Sequence, residues 1–334
     1  MRKMLTGLVV VVFVLGACAS SQPDWIDSGK SKEYPSSRYL TGIGTANDLE
    51  AAKDRARANL AKVFSVKVSE VTEDITRVAR KRGTAGTDNI NETRVERIIS
   101  SRTDQVLTGV RVAETWQGSG ARAYYALVVL SRLQASNNLR QEVDRLDRAT
   151  RIYVKRARGE GDILRKVRSA SLALDEQVAR QAYQKMLRVV DRSGRGAPSP
   201  WDVAKLSSDL EQLLRRVRIS PHVISDTIGS LKTSVSSALA SAGFGIDDGE
   251  EAEFVLDAKL DLEDIGYQDG WYWTRGVLEI TLKERASKRI RGSVRWAVKA
   301  AGSSTGDAKQ RIATKVDSLL KREIKASIIK LATR

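Results

Sequence analysis

The chain has one cysteine, Cys18, which closes the sequence Leu15-Gly16-Ala17-Cys18. A thiol in that place can take up a diacylglycerol group as a thioether. Gly16 and Ala17 are small and leave the Ala17–Cys18 bond open to a peptidase, and Leu15 is the large aliphatic residue that such processing needs three places upstream. Ahead of them, Arg2 and Lys3 precede an apolar run of Leu5, Leu8, Val9 to Val12, Phe13, Val14 and Leu15. A bilayer span takes ~20 apolar residues, so this run is too short to cross, and its length suits a secretory leader. The alternative is an ordinary secretory signal with a chance cysteine. The expected chemistry is cleavage between Ala17 and Cys18 and lipidation of Cys18. Each buried methylene contributes about 0.8 kcal/mol, so two or more acyl chains hold a protein firmly on a membrane.

The rest of the chain is poor in reactive groups. No second cysteine is present to act as nucleophile or to form a disulfide, and His222 is the only histidine. It follows Pro221 with no cysteine or carboxylate pair at ligand spacing, and reads as a turn residue. Gly42 and Gly44 begin a phosphate-loop pattern, but Asn47 stands where the third glycine would be needed, so a tight turn into a helix is expected there. Residues 247 to 269 hold ten acids and one lysine. A pair of carboxylates acting as acid and base is the one hydrolytic alternative they offer. Their alternation along a strand reads as a solvated face. No catalytic residue, no metal site and no cofactor is expected.

The basic residues are the other candidate. The formal net charge is +16, and loss of Arg2 and Lys3 with the leader leaves +14. Such a surface attracts polyanions, of which nucleic acid is the least accessible to a lipid-anchored periplasmic protein. Residues 283 to 334 carry fifteen Lys and Arg against four acids. On the last helix, Lys315, Lys321, Arg322 and Lys325 are expected to stay solvated opposite an apolar face of Ile312, Val316, Leu319 and Ile324, and to touch an anionic envelope polymer. The alternative is that they only keep the domain soluble. Trp271 and Trp273 share one side of their strand, with Tyr272 on the other. Burial under a helix is expected for the tryptophans, and stacking on sugar rings is the alternative.

The elements that position these residues form an α+β protein. Residues 1–17 are the signal peptide and 18–37 a lipidated tether containing Trp25, which is expected to pack on the domain that follows. Residues 38–132 read as a β-α-β-β-β-α domain. Tyr39 to Ala46 is a strand and turn, Leu49 to about Val68 an alanine-rich helix capped by Asn47 or Asp48, and 77 to 92 a helix end and basic loop. Strands follow at Val95 to Ser101, at Val106 to Trp116 and at Ala123 to Leu130, the last apolar on both faces and hence central.

Pro23-x-Trp25, then Tyr39-Leu40-x-Gly42-x-Gly44-x-Ala46, then the alanine-rich helix, resembles the LPP-twenty lipoprotein family over about residues 23 to 132. Members are bacterial envelope lipoproteins, some of them flagellar outer-membrane accessories. The resemblance implies a small α+β domain of structural or adaptor role, with no catalytic residues. Likeness to bacterial lipoproteins in general also gives Ala19 a meaning. An Asp after the lipidated cysteine would argue for the inner membrane, and its absence favours the outer membrane, facing the periplasm. The chain departs from the shortest members by its long C-terminal extension.

That extension begins with a helical region, 133–218. Leu139, Val143, Leu146, Thr150, Tyr153 and Ala157 are spaced as a heptad stripe, broken at Gly159-Glu160-Gly161. A second helix carries Leu164, Val167, Leu174, Val178, Ala182, Met186 and Val189, so the two form an antiparallel hairpin. Its outer lysines and arginines, Arg151 to Arg168, read as a solvated face, or as an arm for an anionic partner. Residues 219–334 read as an α-β-β-β-α domain with an Asp269-Gly270 hairpin turn. Partners expected from all this are the outer membrane through the lipid and an anionic polymer or other envelope proteins.

The leader generates the first prediction. Metabolic labelling with a palmitate analogue is expected to tag the wild type and spare Cys18→Ser; equal labelling of both would exclude Cys18 as the acceptor.

Overall fold

A computed structural model describes residues 22–81, 89–118, 123–249 and 251–331. Ala17 and Cys18 therefore lie outside the described residues. The class is α+β, as the sequence implies. The described residues divide into two compact units, one formed by those within 1–82, 102–137 and 188–194, the other by those within 83–101, 138–187 and 195–334.

In the first unit a short helix α1 (Asp24–Ser28) leads to strand β1 (Tyr39–Ala46) and the long helix α2 (Leu49–Lys81). Trp25 is buried against Tyr34, Leu127 and Val129, and its indole N–H donates to Glu114 Oε2 at 2.7 Å. Asp48 caps α2, accepting from the Ala51 N–H at 2.8 Å. The buried face of α2 is Ala52, Ala56, Leu60, Phe64 and Val68, a four-residue spacing of small residues followed by large ones. Val63, expected to add bulk to it, is exposed. The small end meets Gly42 and Gly44. A Cβ on Gly44 would lie 2.2 Å from the Ala52 carbonyl oxygen and 2.3 Å from the Ala56 nitrogen. The glycines are there so that helix backbone can touch strand backbone.

The chain continues through α3 (Asn89–Leu107), β2 (Arg111–Gln117) and β3 (Tyr124–Ser131). The sheet order is β1-β3-β2, all antiparallel, so the strand apolar on both faces is central. Residues 95 to 101, expected as a strand, are helical. Val95 is buried and Ile98 and Ile99 half-buried, which is helical i, i+3, i+4 spacing; β-branched content had suggested a strand, but periodicity decides. The order along the chain is therefore β-α-α-β-β before the next helix, with α3 up to Ser101 belonging to the second unit, and strand pairing begins at Arg111 rather than Val106.

Next come α4 (Arg132–Gly159) and α5 (Ile163–Val190). In the second unit they form a hairpin whose turn is held by Asp162, the cap of α5, which accepts from the Arg165 N–H at 2.9 Å. Between the arms lies a buried polar pair. Arg180 Nε donates to both oxygens of Asp147, at 2.9 and 3.0 Å, and Gln177 donates to Asp147 and to Thr150 Oγ1. Helix α6 (Val203–Arg216), capped by Asp202, follows.

The remaining elements are β4 (Arg218–Asp226), α7 (Leu231–Ser241), β5 (Gly245–Ile246), β6 (Phe254–Gln268), β7 (Trp271–Glu284), β8 (Ile290–Gly302) and α8 (Thr305–Leu331). They make a sheet of order β5-β4-β6-β7-β8, parallel across β5, β4 and β6 and antiparallel beyond. Two strands precede and interrupt the expected α-β-β-β-α pattern. Pro221 and His222, expected in a turn, lie within β4. The Ile219 carbonyl faces β5, accepting from the Asp247 N–H, and Pro221 faces the same way where β5 has ended. Its missing N–H therefore costs no ladder bond. Asp269 and Gly270 both have positive φ, 52° and 83°, as a two-residue type I′ turn requires. Ile312, Val316, Leu320, Ile324 and Ile328 of α8 are fully buried in the unit's core, each contributing about 1.5–3 kcal/mol before the entropy of ordering is subtracted.

Gly44→Val is expected to destabilise the protein by about 1–3 kcal/mol or more, because backbone rather than a flexible side chain must move. Gly159→Ala, where an added Cβ meets open space, is the control. Thermal melts followed by circular dichroism compare the two; equal melting would refute the close-approach account.

Candidate ligand-binding surface

β6 and β7 are long, at 15 and 14 residues, and their hairpin ends in aromatic side chains. Register pairs Gln268 with Trp271 and Tyr267 with Tyr272. Directly opposed residues share a face, and the rings of Tyr267 and Tyr272 meet at 5.1 Å between centroids. Trp271 and Trp273 point to the other face. Burial under a helix was expected for these tryptophans. Instead Trp271 is 44% exposed and Trp273 half-buried.

What covers them in part is cationic. Lys299 Nζ sits 4.3 Å from the Trp273 ring centroid, and the Arg311 guanidinium 5.9 Å from that of Trp271. The topology explains this meeting. Tyr272 pairs with Gly302 at the end of β8, and α8 starts three residues later, so the first turns of α8 stand beside the hairpin tip. Ser304 caps α8, accepting from the Asp307 N–H at 3.1 Å. Lys309 then reaches Asp264 at 3.1 Å, which in turn accepts from Thr274. Those two hydrogen bonds hold the Asp264 carboxyl below its ordinary value. Beside the tip, Arg275, Val277, Ala297 and Lys299 line a shallow hollow of about 530 Å³. Aromatic rings with cations over one face can stack on sugar rings through what stays exposed, while the cations hold anionic groups.

The four helix residues singled out by sequence differ in their surroundings. Lys315 is exposed and donates to the Lys299 carbonyl at 2.7 Å, which puts it beside the tip. Lys321 pairs with Asp317 at 2.8 Å and Arg322 with Glu323 at 2.8 Å. Lys325 is half-buried rather than solvated. Burial lowers its pKa, and the charges of Glu211 and Asp175 oppose that shift. The cations that stand at the hairpin tip are Lys299, Lys309 and Arg311, the last also paired with Asp307 at 3.1 Å. Their signal was present in the sequence as the turn separating β8 from α8, which returns the helix start to the hairpin end.

Most of the described acids of residues 247 to 269 are engaged in ion pairs. Asp247 and Glu251 meet Arg218, Asp248 meets Lys232, Asp261 meets Lys259 and Glu263 meets Arg275. Asp257 is buried and accepts from Lys283 and from His222, whose Nδ1 lies 2.8 Å away. Burial alone would raise the Asp257 carboxyl; hydrogen bonds from Lys283 and His222 outweigh it and hold the group below its ordinary value. Arg295 lies opposite Glu279 on the neighbouring strand, at 3.0 Å. Among the described residues no group of three His, Cys, Asp or Glu is placed to hold a metal ion, and no helix is long and apolar enough to cross a membrane.

Residues 23–131 match the family model described as LPP20 lipoprotein, which bears out the resemblance drawn from Trp25, the paired glycines and the alanine-rich helix. Among solved structures, a secreted protein of Helicobacter pylori is 15% identical, with a TM-score of 0.43, covering 88% of this chain and 97% of that one. A minor lipoprotein of Acinetobacter baumannii is 10% identical, TM-score 0.26, over 35% of this chain and 93% of its own. A putative lipoprotein of Caulobacter crescentus is 15% identical, TM-score 0.27, over 34% and 90%. No curated protein matches the chain.

Asp257 gives a pH-dependent prediction. A carboxyl whose folded pKa is depressed stabilises the fold above its unfolded pKa, and that contribution is lost as pH falls through the folded value. Asp257→Asn is therefore expected to cost about 1–3 kcal/mol at pH 7, and the gap to wild type should shrink below about pH 4. Denaturant unfolding at both pH values checks it; a pH-independent gap would remove the carboxylate from the account.

Proposed function

We propose that the protein is a non-enzymatic, lipid-anchored component of the bacterial envelope, held through Cys18 in the outer membrane and facing the periplasm, where it serves as a structural or adaptor protein. Its second unit contacts an anionic envelope glycan, peptidoglycan or lipopolysaccharide, through the β6–β7 hairpin tip. The lipoprotein family match over residues 23–131 supports the anchor. The observation that carries the contact is the exposed cluster of Tyr267, Trp271 and Tyr272 beside Lys299 and Arg311. Large aromatic side chains are seldom left in water without a partner to cover them.

The binding is weak and salt-sensitive, because exposed cations are screened over about 8 Å at physiological ionic strength. The full-length chain, held in a nonionic detergent, is expected to sediment with purified peptidoglycan sacculi or to be retained by immobilised lipopolysaccharide at low salt. Combining Trp271→Ala with Tyr272→Ala should reduce retention about tenfold, the factor that ~1.4 kcal/mol of lost stacking gives. Retention by neither glycan, or retention untouched by the double variant, would leave the contact without support. Lys321→Glu with Lys325→Glu should change it little, since neither residue adjoins the tip.

A further inference from the structure

A second surface in the same unit has different chemistry. The end of α4, the start of α5 and the length of α6 enclose a groove of about 550 Å³. Its walls include Val154, Ala157, Ala170, Ala173, Leu206 and Leu213. The size falls in the range of small-molecule sites, ~300–1,000 Å³. The small side chains of Ala157 and Ala170 leave it open where larger ones would fill it. Trp201, just ahead of α6, forms part of the wall, and its indole N–H is buried with no hydrogen-bond partner. A buried donor without a partner calls for an acceptor.

Charge at this groove is one-sided. Arg158, Lys166, Lys205 and Arg216 line it, against Asp202 and Asp209. Asp202 is engaged as the cap of α6, accepting from the Ala204 and Lys205 N–H groups. Asp209 pairs with Lys205 at 3.2 Å. Among the described residues, Arg158, Lys166 and Arg216 lie within ion-pair distance of no carboxylate. Three uncompensated cations, an apolar trough and one unmet donor complement a ligand with an apolar tail, a negative head and an acceptor oxygen between them.

We infer that this groove binds an anionic single-chain amphiphile, a monoacyl glycerophospholipid with its acyl chain against Ala157, Ala170 and Leu206 and its phosphate among Arg158, Lys166 and Arg216. The Trp201 N–H donates to an ester or glycerol oxygen. This site shares no residue with the hairpin tip and does not depend on glycan binding there.

The test uses the full-length chain in a nonionic amphipol and a monoacyl phosphatidylglycerol whose chain carries bromine, a quencher of indole fluorescence. Saturable quenching is expected, and Trp201→Phe should remove most of it. Arg158→Glu with Lys166→Glu should weaken binding about tenfold or more, as should a phosphocholine head in place of phosphoglycerol. Ala170→Leu, which fills the trough, should abolish binding; Arg216→Glu, an exposed change with little risk to folding, keeps the test open if Ala170→Leu melts early. Equal affinity for the zwitterionic lipid and for the charge-reversed variant would overturn the proposal, as would quenching that survives Trp201→Phe. Binding seen only in Cys18→Ser would also overturn it, because the chain's own acyl groups would then be the occupant.

Discussion

Arg291 is 2% exposed and sits on β8 with two acids. Asp162, at the turn of the helical hairpin, pairs with it, and Glu284 on β7 lies 2.7 Å from its Nε. Burial alone would raise the Asp162 carboxyl, but the Arg165 N–H and the Arg291 guanidinium hold it below its ordinary value. One carboxylate thus caps α5 and neutralises a buried strand cation. The start of α5 is thereby fixed to the edge of the sheet, and with it the Lys166 wall of the apolar groove. Removing one member of such a cluster strands the other in low dielectric, at about 3–5 kcal/mol. The Asp147–Arg180 pair repeats this device between the hairpin arms. Neither pair adds much net stability over an apolar substitute, yet loss of one partner from either is costly.

How much was legible follows from the kind of signal each element carries. Periodic elements could be read directly: the α4 and α5 stripes, α8, the central strand β3 and the Asp269-Gly270 turn all rest on spacing or local backbone chemistry. Val95 to Ser101 was misread because residue type spoke for a strand while spacing spoke for a helix. β4 was missed because its proline looks like a breaker, and only the early end of β5 makes it harmless. That fact belongs to tertiary structure and has no local trace. The same holds for Arg180 and Arg291, whose partners lie 33 and 129 residues away.

The ligand-binding residues divide the same way. Basic excess on α8 was visible as composition, but composition does not say which cations already have partners. Asp317 and Glu323 occupy Lys321 and Arg322 through local pairs on one helix. Lys299 and Arg311 stand against indole rings because a strand end and a helix start converge on the hairpin tip, and Arg311 also pairs with Asp307 on its own helix. The aromatic residues were visible too, and the expectation of burial failed for a geometric reason. The β6–β7 ladder reaches Gln268 and Trp271, one residue beyond the last β8 pair, Tyr272 with Gly302, and Trp271 and Trp273 share the face opposite Tyr272.

Net positive charge by itself would give only diffuse attraction to any polyanion, falling with salt. Direction comes from what accompanies the cations. At the hairpin tip they edge exposed aromatic faces, so most of the interaction energy stays in water, where screening over about 8 Å reaches it. In the groove they rim an apolar trough. The larger share of binding there would come from removing acyl carbon from water, at about 25 cal/mol per Å², a term that salt does not weaken. One basic unit thus carries two surfaces that ionic strength should separate. The cations choose the sign of the ligand in both, and the uncharged neighbours, rings in one and alanines in the other, choose its class.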